Sequence, residues 1–364
     1  MLDLQLRSAR QPLTDAWTRT PVAPRGSTAL GLNVRTPQVV AFDLDMRTVL
    51  RELFAYPFQL VRLGAYWNRI EPQPGLFDTS ELDAQIDTIE AAGKQVILCV
   101  GALKAFGYPE FFVPRHRLPY ALPEHTRIGA TAFRDLLGAA TEFSARIVER
   151  YRDRACVLAW QVEHESVDPL GFEHSWRLDL DFVRAEVEAV RAADPSRPVL
   201  LNGYLPTSLP VRLTQWWLTR DQGDSLVAAQ RLGDIVGLDY YPRNALVGLR
   251  DWTLYVDGGH RGGRRRFLEL VQWARRTGRQ LMLTEGQAEP WEAVTQPPNP
   301  RAQAMWSCPP EQVIANYNTV MAWAAQARFS LDAYLFWGAE YWLVRKQSGD
   351  RSYLDAFARI VEQP

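Results

Sequence analysis

Lysine is almost missing from this 364-residue chain: only Lys94, Lys104 and Lys346 occur, so arginine supplies 38 of the 41 basic side chains. A GC-rich coding sequence would produce that bias, and with a formal net charge of −1 there is no basic surplus. A dedicated nucleic-acid partner is argued against on that ground, because phosphate contacts need a positive surface. Cysteine is scarce too: Cys99, Cys156 and Cys308 are too few for a disulfide framework, and the first two sit in apolar runs as buried thiols. Of the five histidines (116, 125, 164, 174, 260), none forms a His-x-His or Glu-x-x-His pattern on the first strand or a helix face, so no metal site is expected. No apolar run reaches membrane-spanning length, and the opening MLDLQLRSARQPLTDAW is too polar for a secretion-signal core; the expectation is a cytoplasmic protein without a membrane partner. A Gly-x-Ser-x-Gly elbow and phosphate-cradling glycine loops are also missing. Gly258-Gly259 and Gly262-Gly263, beside Arg264–Arg266, read instead as a flexible basic loop.

What is present is a large apolar fraction, 47%, against 23% charged residues, enough for a sizeable core. Apolar runs at 29–34, 59–66, 95–101, 156–163, 198–203, 233–239, 280–285 and 332–338 read as strands. Segments with helical spacing of apolar residues separate them, clearest at 129–152, 177–193, 264–277 and 311–328. Helix stops fall at Ala92-Gly93, Asp194-Pro195 and Thr277-Gly278, each just before a strand. Eight such units with near-continuous apolar strands predict an α/β chain folded as a single (β/α)8 barrel over 29–364, preceded by an irregular lead-in over 1–28. No linker divides it, and the Pro-rich stretch 297–310 falls in the loop after strand seven as a wall of the mouth.

Barrel sites lie at the C-terminal ends of the strands, so the polar residues that close each apolar run matter most. These are Asn33, Arg62 with Trp67, Lys104, Glu163-His164-Glu165, Asn202, Asp239-Tyr240-Tyr241, Glu285 and Trp337. Acids, aromatics and one inward arginine suit a sugar: rings stack on pyranose C–H faces while carboxylates and amides bind hydroxyls. Two carboxyl groups from different strands are also the minimal machinery for cleaving a glycosidic bond. Glu165 and Glu285 are the pair that closes strands four and seven.

VRLGAYWNRIEPQPGLFD (61–78), AWQVEHE (159–165), GLDYYP (237–242), LMLTEGQAEPW (281–291) and YLFWGAEYW (334–342) resemble the retaining glycoside hydrolases of the large barrel clan with acid/base on strand four and nucleophile on strand seven. Within it the chain looks most like family-five cellulase and mannanase types and family-forty-two β-galactosidases. The resemblance implies Glu165 as acid/base and Glu285 as nucleophile. It implies Arg62 as the residue keeping that nucleophile ionised, Tyr241 as its hydrogen-bond partner, and Trp337 as the platform under the sugar. Trp67, Asn202 and Trp291 join them as candidate sugar contacts, with Trp67, Trp291 and Trp342 equally open to a packing role. No cofactor is needed; the partner is a carbohydrate substrate, and oligomeric state is not readable.

His164 stands where the clan places asparagine, so the substrate is expected to differ at C2 or to be held differently there. Retention predicts carboxyl groups about 5–5.5 Å apart, inversion about 6.5–9.5 Å. Glu163 shares the parity of Glu165 and is expected to face inward as a structural acid paired with Arg62 or another buried donor. Glu71 and Glu289 read as loop braces, Lys104 as a solvated loop lysine, and Trp160 as packing between barrel and helices. Long loops at 102–128, 242–262 and 286–310 favour a pocket for short glycosides. Two alternatives remain: a metal-dependent barrel enzyme built on Glu163-His164-Glu165 or Glu173-His174, and a degenerate carbohydrate-binding barrel. Against the first, His164 and Glu165 as neighbours on a strand should point to opposite faces.

Overall fold

A computed structural model describes residues 4–168, 174–249, 252–293 and 302–363. Eight short parallel strands form its centre: β1 (Ala29–Asn33), β2 (Leu60–Gly64), β3 (Gln95–Cys99), β4 (Val157–Gln161), β5 (Val199–Tyr204), β6 (Ile235–Tyr240), β7 (Gln280–Gln287) and β8 (Ala333–Trp337). They close in the order β6-β7-β8-β1-β2-β3-β4-β5. Each falls on one of the eight apolar runs, as a strand buried on both faces requires.

Helices return the chain along the outside: Met46–Leu53, Ser80–Ala91, Arg134–Tyr151, Leu180–Ala193, Ser225–Leu232, Gly259–Thr277, Pro310–Gln326 and Ser352–Val361. Local chemistry sets their ends. Asp45 accepts a hydrogen bond from Thr48 N at 2.8 Å at the first start. Gly278, at φ +69°, stops the helix before β7 in the left-handed conformation that lacks a Cβ penalty. All three expected stops hold, since helices end at Ala91, Ala193 and Thr277. Among the described residues no helix is long and apolar enough to cross a membrane.

The barrel interior is layered. Leu60, Ile97, Ala159, Leu200, Ile235, Met282, Ala333 and Leu335 fill its lower part with apolar volume. The next inward positions toward the C-terminal end are polar: Asn33, Arg62, Gln161, Asn202, Asp239 and Thr284, all buried. Trp160, of opposite parity, packs between barrel and helices and donates to Asp194 at 3.0 Å, as expected.

Two expectations fail. The lead-in is not irregular: Leu4–Ser8 pairs antiparallel with Trp252–Asp257, which pairs with Arg243–Leu249, and Arg10–Pro12 pairs with Gln303–Met305. Its pattern went unread because these are exposed edge strands whose partners lie 244–295 residues away. The glycine-rich basic stretch is not a loop either but the start of Gly259–Thr277. Gly263 there admits the close approach of Trp323, whose ring would stand 3.2 Å from any added Cβ, so packing overrides poor helix propensity. Of the Pro-rich stretch, 297–301 lies outside the described residues.

The mouth depends on one close backbone approach. A Cβ on Gly101, just beyond β3, would sit 2.0 Å from Glu163 N and 2.5 Å from its Cα. Neither is the end of a flexible side chain, so the strand ends themselves would have to separate. Gly101→Ala is expected to cost about 3 kcal/mol or more, read by chemical denaturation; a loss below about 0.5 kcal/mol contradicts this packing.

Candidate active site

Two departures from regular strand geometry assemble the site. Between β6 and β7 the register slips, so that Leu238 faces Leu283 but Asp239 faces Glu285. The extra residue lets Thr284 and Glu285 both turn inward, as a β-bulge does when it re-aims a side chain. Thr284 Oγ1 donates to Asp239 Oδ1 at 2.7 Å, while Glu285 rises to the cavity floor. After β4 the chain leaves the strand at Gln161, and Glu163 (φ +57°) and Glu165 (φ +42°) take left-handed conformations. Such backbone strain concentrates where function holds it in place.

These turns overturn the alternation expected for 163–165. His164 and Glu165 both line one cavity, together with Glu285. Glu163 turns away from Arg62: it accepts from Leu103 N at 2.9 Å and Lys104 N at 2.5 Å, and its carboxyl faces buried Glu186. Of the two expected pairings, with Arg62 or with another buried donor, the geometry presents the second, through the backbone N–H groups of Leu103 and Lys104.

Arg62 lies beneath the floor. Its Nη1 donates to Glu285 Oε1 at 2.6 Å and Asn33 Oδ1 at 2.9 Å, and its Nε to Gln161 Oε1 at 2.6 Å. Tyr241 OH donates to the other oxygen, Glu285 Oε2, at 2.6 Å. Asn202 donates to Asp239 at 2.5 Å and to His164 Nδ1 at 2.9 Å, and accepts from Glu165 N at 3.3 Å. An Nδ1 that accepts leaves the ring proton on Nε2. Burial, then the Arg62 and Lys104 charges, hold the imidazole well below its ordinary pKa, so His164 is neutral. Glu165 moves the other way: burial first, then the charge of Asp239, push its carboxyl well above the usual range.

The cavity above encloses about 520 Å³, within the span of small-ligand pockets. Trp337 and the half-buried Trp291 form its aromatic walls on either side of Tyr241, with ring centroids 6.4 and 5.2 Å away. Arg35 stacks over Trp337 at 4.3 Å and is clamped bidentately by Glu289 at 2.6 and 2.8 Å and by Glu340. A second cavity of about 480 Å³ lies on the flank near Asn68, Asp78 and Gln85 and holds neither Glu165 nor Glu285.

Several assignments change. Trp67 is fully buried, stacked on Phe143 at 5.4 Å with its N–H on Glu71 at 2.7 Å, so it packs and cannot meet a ligand. Trp342 likewise packs, donating to Ala288 O at 2.7 Å. Asn202 and Arg62 lie under the cavity rather than on it, so they hold the residues that line it. Lys104 is not solvated: its buried ammonium donates to Glu165 O at 3.2 Å and Asp168 O at 3.3 Å. Glu289 and Glu71 do brace loops, the latter through Trp67, His116 and Arg117. His164, Glu165 and Asp239 each bring one ligand atom within 4.8 Å of the others, a convergence that strand alternation had argued against. Arg35 and Glu110 were missed. Arg35 lies two residues past β1, within reach of a strand-end reading; Glu110 lies mid-loop, where no pattern marks it.

The closed ring of eight parallel strands with helices outside defines the fold class: a single (β/α)8 barrel. Residues 45–177 match the family model described as β-galactosidase, glycoside hydrolase family 42. Among solved structures the chain is similar to a GH5_18 protein from Streptomyces cattleya, solved with GlcNAc (19% identity, 94% of this chain and 82% of that one, TM-score 0.58). It is also similar to xylanase 10B from Thermotoga maritima (12% identity, 85% and 83%, TM-score 0.51). A psychrophilic family 10 endo-β-1,4-xylanase aligns at 16% identity over 90% and 89%, TM-score 0.50. These likenesses establish the shared fold. No curated protein matches by sequence.

The electrostatics have a measurable sign. With the folded pKa of Glu165 raised, the folded chain keeps a proton that the unfolded chain loses near about 4.3. Its stabilising contribution is therefore full below that pH and is lost as pH climbs toward the folded pKa. Glu165→Gln is expected to raise the melting temperature over wild type by an amount near zero at pH 4 and growing up to pH 8. A gain independent of pH contradicts the shift.

Proposed function

We propose that the protein is a retaining glycoside hydrolase that cleaves a β-glycosidic bond in a short glycoside. One observation carries it: Glu285 is held by Arg62 and Tyr241, one on each oxygen, in the same cavity as Glu165, whose carboxyl burial pushes well above the usual range. The two carboxyls thus sit in opposite environments, the division of labour that acid and nucleophile need. Glu285 attacks the anomeric carbon while Glu165 protonates the glycosidic oxygen, and the carbon–oxygen bond to the leaving group breaks. The resulting ester removes the charge on Glu285; Glu165 then takes a proton from water, whose oxygen attacks the same carbon and frees Glu285. Trp337 and Trp291 supply the stacking faces, and His164 offers Nε2–H where an asparagine amide is usual. A cavity of about 520 Å³ suits one or two sugar rings rather than a polymer.

The family match and the fold support this reading; the choice among galactoside, glucoside, mannoside and related sugars rests on assay. A panel of aryl β- and α-glycosides is expected to give turnover only with β-linkages. Glu285→Ala and Glu165→Ala should each lose roughly 10²–10⁴-fold or more in kcat. With an activated aryl leaving group and added azide, Glu165→Ala should yield the β-glycosyl azide and Glu285→Ala the α-azide. Exchanged stereochemistry would swap the two roles, and near-normal activity in either variant would reject them. The second reading, metal-assisted chemistry at His164, Glu165 and Asp239, predicts instead that chelation abolishes turnover and metal restores it.

A further inference from the structure

The loop after β3 places a carboxylate in the cavity that the hydrolytic roles do not use. Lys104 and Phe111 pair as an antiparallel bridge, and Ala105 N donates to Glu110 O at 3.0 Å, so residues 104–111 form a closed turn. Within it Glu110 adopts φ +85°, a conformation side chains other than glycine rarely take. The side chain so placed is nine-tenths buried, with 10% relative exposure, and lines the same cavity as Glu165 and Glu285. Among the described residues no group donates a hydrogen bond to its Oε2; the nearest cation, Lys104 Nζ, stands 3.6 Å away. Gln287, two residues past Glu285, also lines the cavity with its buried Oε1 unpartnered. A buried acceptor without a donor is costly, and a strained backbone that creates one points to a donor supplied from outside.

The remaining charges say what kind of donor fits. Glu110, Glu165, Glu285 and Glu289 line the cavity, and Arg35, the cation among the described lining residues, is already committed to Glu289 and Glu340. An acidic sugar would find carboxylates without a free counter-charge; a sugar hydroxyl would find acceptors. We propose that Glu110 is a specificity-determining residue that accepts a hydrogen bond from one free hydroxyl of an uncharged glycone. This rests on the hydrolase reading above and names the sugar class it takes. Burial and the charge of Glu285, opposed by Lys104, push the Glu110 carboxyl up to about 7, so its accepting strength increases as pH rises through neutrality.

The test compares wild type, Glu110→Gln and Glu110→Ala on the best aryl β-glycoside from the panel and its 3-, 4- and 6-deoxy analogues. In wild type, removing one particular hydroxyl should cost roughly 10- to 100-fold in kcat/KM, the range for a hydrogen bond to a charged group. In Glu110→Ala that penalty should shrink to within about threefold while those at the other two positions stay unchanged, and Glu110→Gln, which keeps an amide oxygen, should fall between. Circular dichroism melts of each variant separate a folding defect, which would lower all substrates together. Equal deoxy penalties in wild type and Glu110→Ala overturn this proposal alone. Wild type that turns over none of the parent glycosides rejects the hydrolase reading and this one with it.

Discussion

The guanidinium of Arg62 is the fixed point of the molecule. It is fully buried, and its fork reaches β1 through Asn33, β4 through Gln161 and β7 through Glu285. A charge taken out of water this completely is tolerable only when its donors are occupied and its counter-charge is in contact. The barrel meets that demand by devoting one interior layer to polar side chains, with Asn33 in turn donating to Thr284 O and Phe336 O at 3.0 Å. Glu285 cannot shift without breaking this layer, which is the rigidity that a positioned carboxylate requires.

Above that layer the molecule stops following regular rules. A strand alternates its side chains, so no run of three successive residues can all serve one face. The register slip at β7 and the left-handed turns after β4 relax that restriction at the two positions where a carboxyl must reach the mouth. The result is a crowded set of acids in which burial, then mutual repulsion, push the Glu165 and Asp239 carboxyls above their usual range. Placing them together opposes stability, and the apolar layer below and the packed helices outside offset it.

This division explains what could be read beforehand. The eight strands were legible because a strand buried on both faces must be a short apolar run, and Glu165, Glu285, Tyr241 and Trp337 followed from their positions at strand ends. Trp67 misled because aromatic residues near a strand end serve packing as readily as stacking. Asn202 and Arg62 were read as contacts at the mouth but lie one layer below it, since depth along a barrel strand depends on stagger between strands, which no single run of sequence displays. Lys104 was read as solvated and Glu110 went unread for a different reason: their environments are built from loop residues whose meeting follows no periodicity.

The antiparallel pairing of Leu4–Ser8 with Trp252–Asp257 has a temporal side. During synthesis Leu4–Ser8 has no partner until about 250 further residues have followed, and Arg10–Pro12 waits longer still, for Gln303–Met305. Until then those residues are an unpaired edge, open to other strands. Because Asn244, Ala245 and Val256 of the strands that Leu4–Ser8 joins also line the cavity, the rim of the pocket is complete only when that distant pairing is made.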